Sequence, residues 1–139
     1  MGIVHHQIAS ADAATWDYAT VPPVAYVSGA QGAATAGAIK RVLVGPAEGA
    51  QDFIIRYFTL PAGGHSALDQ HAHPHGVVVV QGRGRVLLGE AWTEIGVGDA
   101  VFVAPHEVHQ FETLGDQPLG FLCVIPTWAE QPATDTART

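Results

Sequence analysis

HAHPHGVVVVQGRGRVLLG, residues 71–89, leads three histidines on alternate positions into four consecutive valines. Side chains two apart on an extended segment point to the same face, about 6.6–7 Å apart along the backbone. His71, His73 and His75 therefore share a face, and the same register continues into Val77 and Val79. Pro74 cannot donate to a sheet ladder, so it places this segment at a strand start or a bulge. Three imidazoles aimed at an apolar interior need a common partner, because unpaired polar groups are costly to bury.

Outward from this stretch, IKRVLVG, DFIIRYFTL, DAVFV, VHQFET and LGFLCVI are short runs rich in Val, Ile, Phe and Tyr. Turn-forming segments separate them: GPAEGA, PAGGHS, GVGD, APHE and LGDQP. Many short strands with regular turn signals read as an all-β sandwich or barrel. After residue 36 no strong helical periodicity appears, and the best helical candidate, Ala9 to Tyr18, spans only about three turns. The organisation expected is an N-terminal arm over 1–36, packing on a dimer partner, a β-barrel over 37–128 and a frayed tail over 129–139. Within the arm, Thr20 to Tyr26 (TVPPVAY) suits an extended edge segment.

Composition narrows the partners. The chain has 139 residues, enough for one domain. Thirteen acidic against six basic side chains give a formal charge of −7, which repels phosphate backbones and anionic membranes. Cys123 is the single cysteine, so neither an intrachain disulfide nor a multi-cysteine zinc site can form. The N-terminus shows no signal-peptide pattern and no stretch approaches a membrane span, so the expectation is a soluble cytoplasmic protein, paired as a homodimer.

A transition metal ion would satisfy the three histidines together, each neutral imidazole offering a lone pair at about 2.0–2.2 Å. A fourth candidate ligand lies in GDAVFVAPHEVHQFE, residues 98–112, where His109, Phe111 and Thr113 share a face of the returning strand. His106 falls in the turn itself, at a position that favours a left-handed residue, and is read as a turn residue beside the site. His5 and His6 read as surface residues and His65 as part of a loop. Phe121, Cys123 and Ile125 alternate on one face of FLCVI and, with Phe111, would wall a mostly apolar pocket. Arg56, in an otherwise hydrophobic strand, either snorkels to an edge or holds an anion.

These two motifs resemble those of the cupins. His75, the six residues GVVVVQ and Gly82 match the second half of the first cupin motif. Gly98-Asp99, Pro105, His106 and His109 fall in the second, with fifteen residues between Gly82 and Gly98. The resemblance runs over about residues 37 to 126 and is nearest to small single-domain cupins that bind manganese through four histidines. It implies a double-stranded β-helix, or jelly-roll barrel, with His71, His73, His75 and His109 around one divalent metal. Manganese is favoured and iron is next, while nickel, copper and zinc also suit imidazole. The function implied is a dioxygenase-type oxidoreductase acting on a small aromatic or enolic molecule, with dioxygen as co-substrate and Arg56 orienting an anionic group. The alternative is a non-catalytic metal-containing module for binding or sensing a small molecule.

Overall fold

The computed structural model describes residues 2–26 and 37–130. Nine strands occur among them: β1 (Val24–Ala25), β2 (Ile39–Val44), β3 (Phe53–Leu60), β4 (His75–Gln81), β5 (Arg83–Leu88), β6 (Ala91–Gly96), β7 (Ala100–Val103), β8 (His109–Thr113) and β9 (Leu119–Pro126). The only helical pieces described are two 3-10 turns, Pro46–Glu48 and Thr127–Glu130. All pairings are antiparallel. The larger sheet runs β1-β2-β3-β9-β4-β7 and the smaller β6-β5-β8. The architecture is all-β, two antiparallel sheets forming a barrel, as the short strands and regular turns implied.

Strand alternation builds the interior. The valine run splits, with Val77 and Val79 buried and Val78 exposed. β3 buries Ile54, Arg56, Phe58 and Leu60, and β9 buries Phe121, Cys123 and Ile125 opposite them. Val86, Ile95 and Phe111 from the smaller sheet close the core from the other side. Phe58, Phe121 and Phe111 form a stacked ladder across it, with ring centroids 5.4 and 4.6 Å apart.

The arm packs on its own barrel. Trp16 stacks on Tyr57 at 5.3 Å and its backbone N–H donates to the Tyr57 hydroxyl. Arg41 donates to the carbonyls of Tyr18 and Val21 and pairs with Asp17 at 2.7 Å. Ala9 to Tyr18 is not a helix: a turn and an isolated bridge between Gln7 and Tyr18 fold it back on itself. Trp16 and Arg41 supply tertiary anchors that outweigh weak local propensity. The described residues of the arm thus pack on the barrel of their own chain. Residues 27–36 of the arm and 131–139 of the expected frayed tail lie outside the described residues.

The turn between β4 and β5 depends on Gly82. Its φ of 71° lies in the left-handed region, and an added Cβ would collide with the Pro118 backbone oxygen. Gly82→Ala should destabilise the fold by more than about 2 kcal/mol, read from the urea midpoint. An unchanged midpoint would show that the turn relaxes freely.

Candidate metal centre

Four strands of the barrel bring the site together. His75 opens β4 and His109 opens β8, each on the buried face of its strand. His71 and His73 lie on the segment entering β4, which two backbone links tie to the second motif. The His106 N–H donates to the His71 carbonyl at 2.7 Å, and Asp69 and His109 exchange backbone hydrogen bonds of 3.0 and 2.9 Å. His106 makes its link with φ at 65°, the one non-glycine residue with positive φ among the described residues. It is exposed in the turn, as its position implied.

His71, His75 and His109 form a group whose ligating nitrogens all lie within 4.8 Å of one another. His71 Nε2 and His75 Nε2 are 2.9 Å apart. Two ligands at right angles, each about 2.0–2.2 Å from an ion, would stand roughly 3 Å apart. The outer nitrogens are organised too. His71 Nδ1 donates to the His73 carbonyl at 2.9 Å, and His109 Nδ1 to the Glu107 carbonyl at 2.8 Å. Each bond fixes the proton on Nδ1 and leaves Nε2 with its lone pair, the arrangement that metal-ligating histidines use. For His75 the tautomer that frees Nε2 puts the proton on Nδ1, where Cys123 Sγ accepts it at 3.0 Å.

His73 stands apart from this group. Its ring lies face to face on His71, with centroids 3.6 Å apart and planes 5° from parallel, and edge-on to Trp128 at 5.9 Å. Its Nδ1 is buried without a hydrogen-bond partner. Three lone pairs converging on one point, beside a buried imidazole nitrogen left unsatisfied, fit a divalent cation.

Burial sets the charge state. Desolvation first, then the neighbouring charges of His71, Arg56 and His109, push His73 down to about 3 from its ordinary 6.5. His75 is lowered most strongly, again by burial and then by Arg56 and the other histidines. His71 is lowered mainly by burial and by His109, with Asp69 opposing. At neutral pH these imidazoles are neutral, which is the form that binds metal.

The cavity in front of the cluster is narrow, about 30 Å³, and includes Arg56, Asp69, Phe111, Phe121 and Cys123 in its lining. The structure thus brings Arg56, His71, His75, His109, Phe111, Phe121 and Cys123 to one place. Ile125 is buried further along β9 and lines a separate groove with Phe53, Pro74 and Phe102. Arg56 does not snorkel: it is 5% exposed, and Nη2 donates to Cys123 Sγ at 3.2 Å while lying 3.3 Å from His75 Nδ1. Cys123 accordingly sits beside a guanidinium and an imidazole, a polar setting that its hydrophobic strand did not suggest. Sequence reasoning also missed Phe58 and Tyr26, and it left Asp69 as an acid near the site without placing it inside. Phe58 was legible in the alternation of FIIRYFTL, whereas Tyr26 and Asp69 reach the cavity from segments without strand periodicity. Asp69 Oδ2 lies 4.0 Å from His71 Nε2.

Two measurements test the cluster. Metal content by mass spectrometry should fall from about one ion per chain to a small fraction in His109→Ala, and retention of the ion would separate the two motifs. A histidine depressed in the fold binds its proton in the unfolded chain first, so its contribution to stability is present above about 6.5 and is lost as pH falls towards 3. The metal-free protein should therefore lose stability steadily between pH 6.5 and 4, and His73→Gln should flatten that slope. An equal slope in the variant would place the acid sensitivity elsewhere.

The Cupin_2 family model, described as a cupin domain, matches residues 56–125, the span from Arg56 to the end of the core of β9. The 1-methylthio-D-xylulose 5-phosphate methylsulfurylase of Rhodospirillum rubrum is 38% identical over 82 residues, 59% of this chain and 53% of that protein. The chain spans about half the length of the curated relatives it matches. A cupin 2 conserved barrel protein of Rhodopseudomonas palustris superposes with a TM-score of 0.76 at 31% identity, covering 97% of this chain and 90% of that one. A polyketide cyclase of Streptomyces resistomycificus gives 0.61 at 29% identity, over 65% of each chain. With both histidine motifs inside the matched span and the whole barrel superposing, this chain belongs to the cupin family.

Proposed function

We propose that the protein is a metal-dependent enzyme of the oxidoreductase type, acting on a small enolic or enolisable carbonyl compound at one divalent ion. The observation that carries this reading is the convergence of His71, His75 and His109 with Arg56 and Cys123 on one apolar cavity. His71, His75 and His109 would hold the ion, with His73 adjoining through its stack on His71. Manganese is the metal favoured and iron the next. Such an ion supplies Lewis acidity, which stabilises negative charge on an enolate oxygen.

The remaining groups divide the work around it. Arg56, buried and held over the Phe58 ring at 4.8 Å, presents its charge to an anionic part of the substrate. Phe58, Phe111 and Phe121 exclude water and pack an apolar or aromatic body. Asp69 and Cys123 are among the groups of the cavity able to carry a proton to or from carbon. The names of two relatives support the substrate class: a 2-ketose and a polyketide both carry carbonyl groups beside acidic C–H bonds. Dioxygen is the co-substrate that an oxygenase reaction on the enolate would consume. The second reading, a module that binds or senses a small ligand without turnover, uses the same histidine cluster and cavity.

A screen over hydroxyketones, β-dicarbonyls, enols and catechols in deuterated water, with an oxygen electrode, decides between them. Deuterium at the α-carbon together with oxygen uptake is the expected result. Exchange without uptake would keep the enolising site and remove the oxygenase chemistry. A ligand that raises the melting temperature yet is recovered without deuterium would establish the binding module instead. On the best substrate, Arg56→Lys should lower kcat/KM at least about tenfold, because the lysine keeps the charge and loses the fork.

A further inference from the structure

The cavity before the histidines holds about 30 Å³, room for about two water molecules and too little for a carbon skeleton. One of its walls must therefore yield when a substrate enters. Most of them are fixed. Phe58, Phe111 and Phe121 are each at most 5% exposed and stack across the core. The segment carrying Ser66 and Asp69 is tied to β8: the Ser66 N–H donates to the Phe111 carbonyl at 2.8 Å and the Asp69 N–H to that of His109 at 3.0 Å. Arg56, Cys123 and His75 hold one another on the floor.

Tyr26 is the exception. It follows β1, a two-residue strand at the edge of the larger sheet. Its side chain is half-buried, lining the cavity on one side and meeting solvent on the other. Its N–H donates to the Ala38 carbonyl at 2.9 Å, which fixes the backbone. The ring stands edge-on to Phe58 with centroids 4.9 Å apart, and Lys40 Nζ lies 5.7 Å from its centre. Among the lining residues Tyr26 is also the one that falls outside residues 56–125, the span matching the cupin domain. That span supplies the histidines, the arginine and the floor, and the arm supplies the remaining wall.

We propose that Tyr26 is the specificity-determining wall of the cavity, its ring turning outward to admit a substrate and its bulk limiting what passes. A turn about the side-chain bonds moves the ring towards water without disturbing the sheet. A flat enolic or aromatic body needs the smallest displacement and gains a ring to pack against once inside, whereas a branched body of similar size needs a larger one. This selection rests on the proposed function for the class of molecule admitted, while the passage itself does not.

Cys123 is the single cysteine and lies buried on the cavity floor, so thiol reagents of graded size report passage without metal or turnover. Two neutral probes serve, methyl methanethiosulfonate and the larger aromatic dipyridyl disulfide. Tyr26→Ala should raise the rate at which the aromatic disulfide labels Cys123 at least about tenfold, and that of the smaller probe by less. Tyr26→Phe keeps the ring and should label as the wild type does. If the alanine variant folds poorly, Tyr26→Leu keeps an apolar contact with Phe58 and should give the same size-dependent rise. Unchanged rates would overturn the assignment and place entry at another wall. A rise shared equally by both probes would overturn it too, because global unfolding exposes the thiol to each alike. The expected size dependence, found alongside a deuterium screen without a substrate, would keep the wall and remove the reaction.

Discussion

Placing imidazoles inside an apolar barrel constrains everything around them. A buried nitrogen without a partner costs on the order of 1–3 kcal/mol, and a buried imidazolium costs more. The chain meets this by turning the Nδ1 atoms of His71 and His109 to backbone carbonyls and that of His75 to Cys123. What remains are Nε2 atoms directed at one another, an arrangement stable only with a shared proton or a shared cation. The loop before β4 is held to the second motif through the backbone of His106 and Asp69. The left-handed histidine at 106 and the bridge at Asp69 are thus parts of the site although neither belongs to the three-histidine group.

The two-residue period of a strand lets the same segments do two jobs. β4 sends His75, Val77 and Val79 inward and Gly76 and Val78 outward, while β9 sends Cys123 inward and Val124 outward. A one-residue slip of either strand would exchange the two sets and empty the site. Register is secured by pairing β9 on both sides, with β3 and with β4, so that Cys123 faces Arg56 across one ladder and Val77 across the other. Arg56 beside His75 and Cys123 follows from that register, since residues on neighbouring strands share a face.

How much of this was legible depended on how strongly each segment alternates. The runs around Val77, Phe58, Phe111 and Cys123 are strongly apolar and punctuated by glycine and proline, and all became strands where read. β6, AWTEIG, was not read: only Ile95 of its six residues is buried, so pairing with β5 rather than burial makes it a strand. The histidines were legible as a set, but His73 was not distinguishable from its neighbours. Shared parity placed it with His71 and His75, whereas the segment before β4 is not a regular strand, and there His73 turns to stack on His71. The bonding of Cys123 was hidden for a similar reason, because its partners come from β3 and β4, 67 and 48 residues away.

Charge decides what such a cavity can hold. The protein as a whole is acidic, yet the cavity contains a buried guanidinium and imidazoles that burial keeps neutral. Neutral ligands cancel none of an ion's charge, so a divalent cation there would act beside Arg56 as two positive centres, screened little in so apolar a lining. Asp69 offsets part of this from the rim, through His71. A neutral molecule entering gains little from that field, whereas one that develops negative charge on oxygen gains as the charge forms. The preference is therefore for the enolate over its parent carbonyl, which is the difference in binding that catalysis requires.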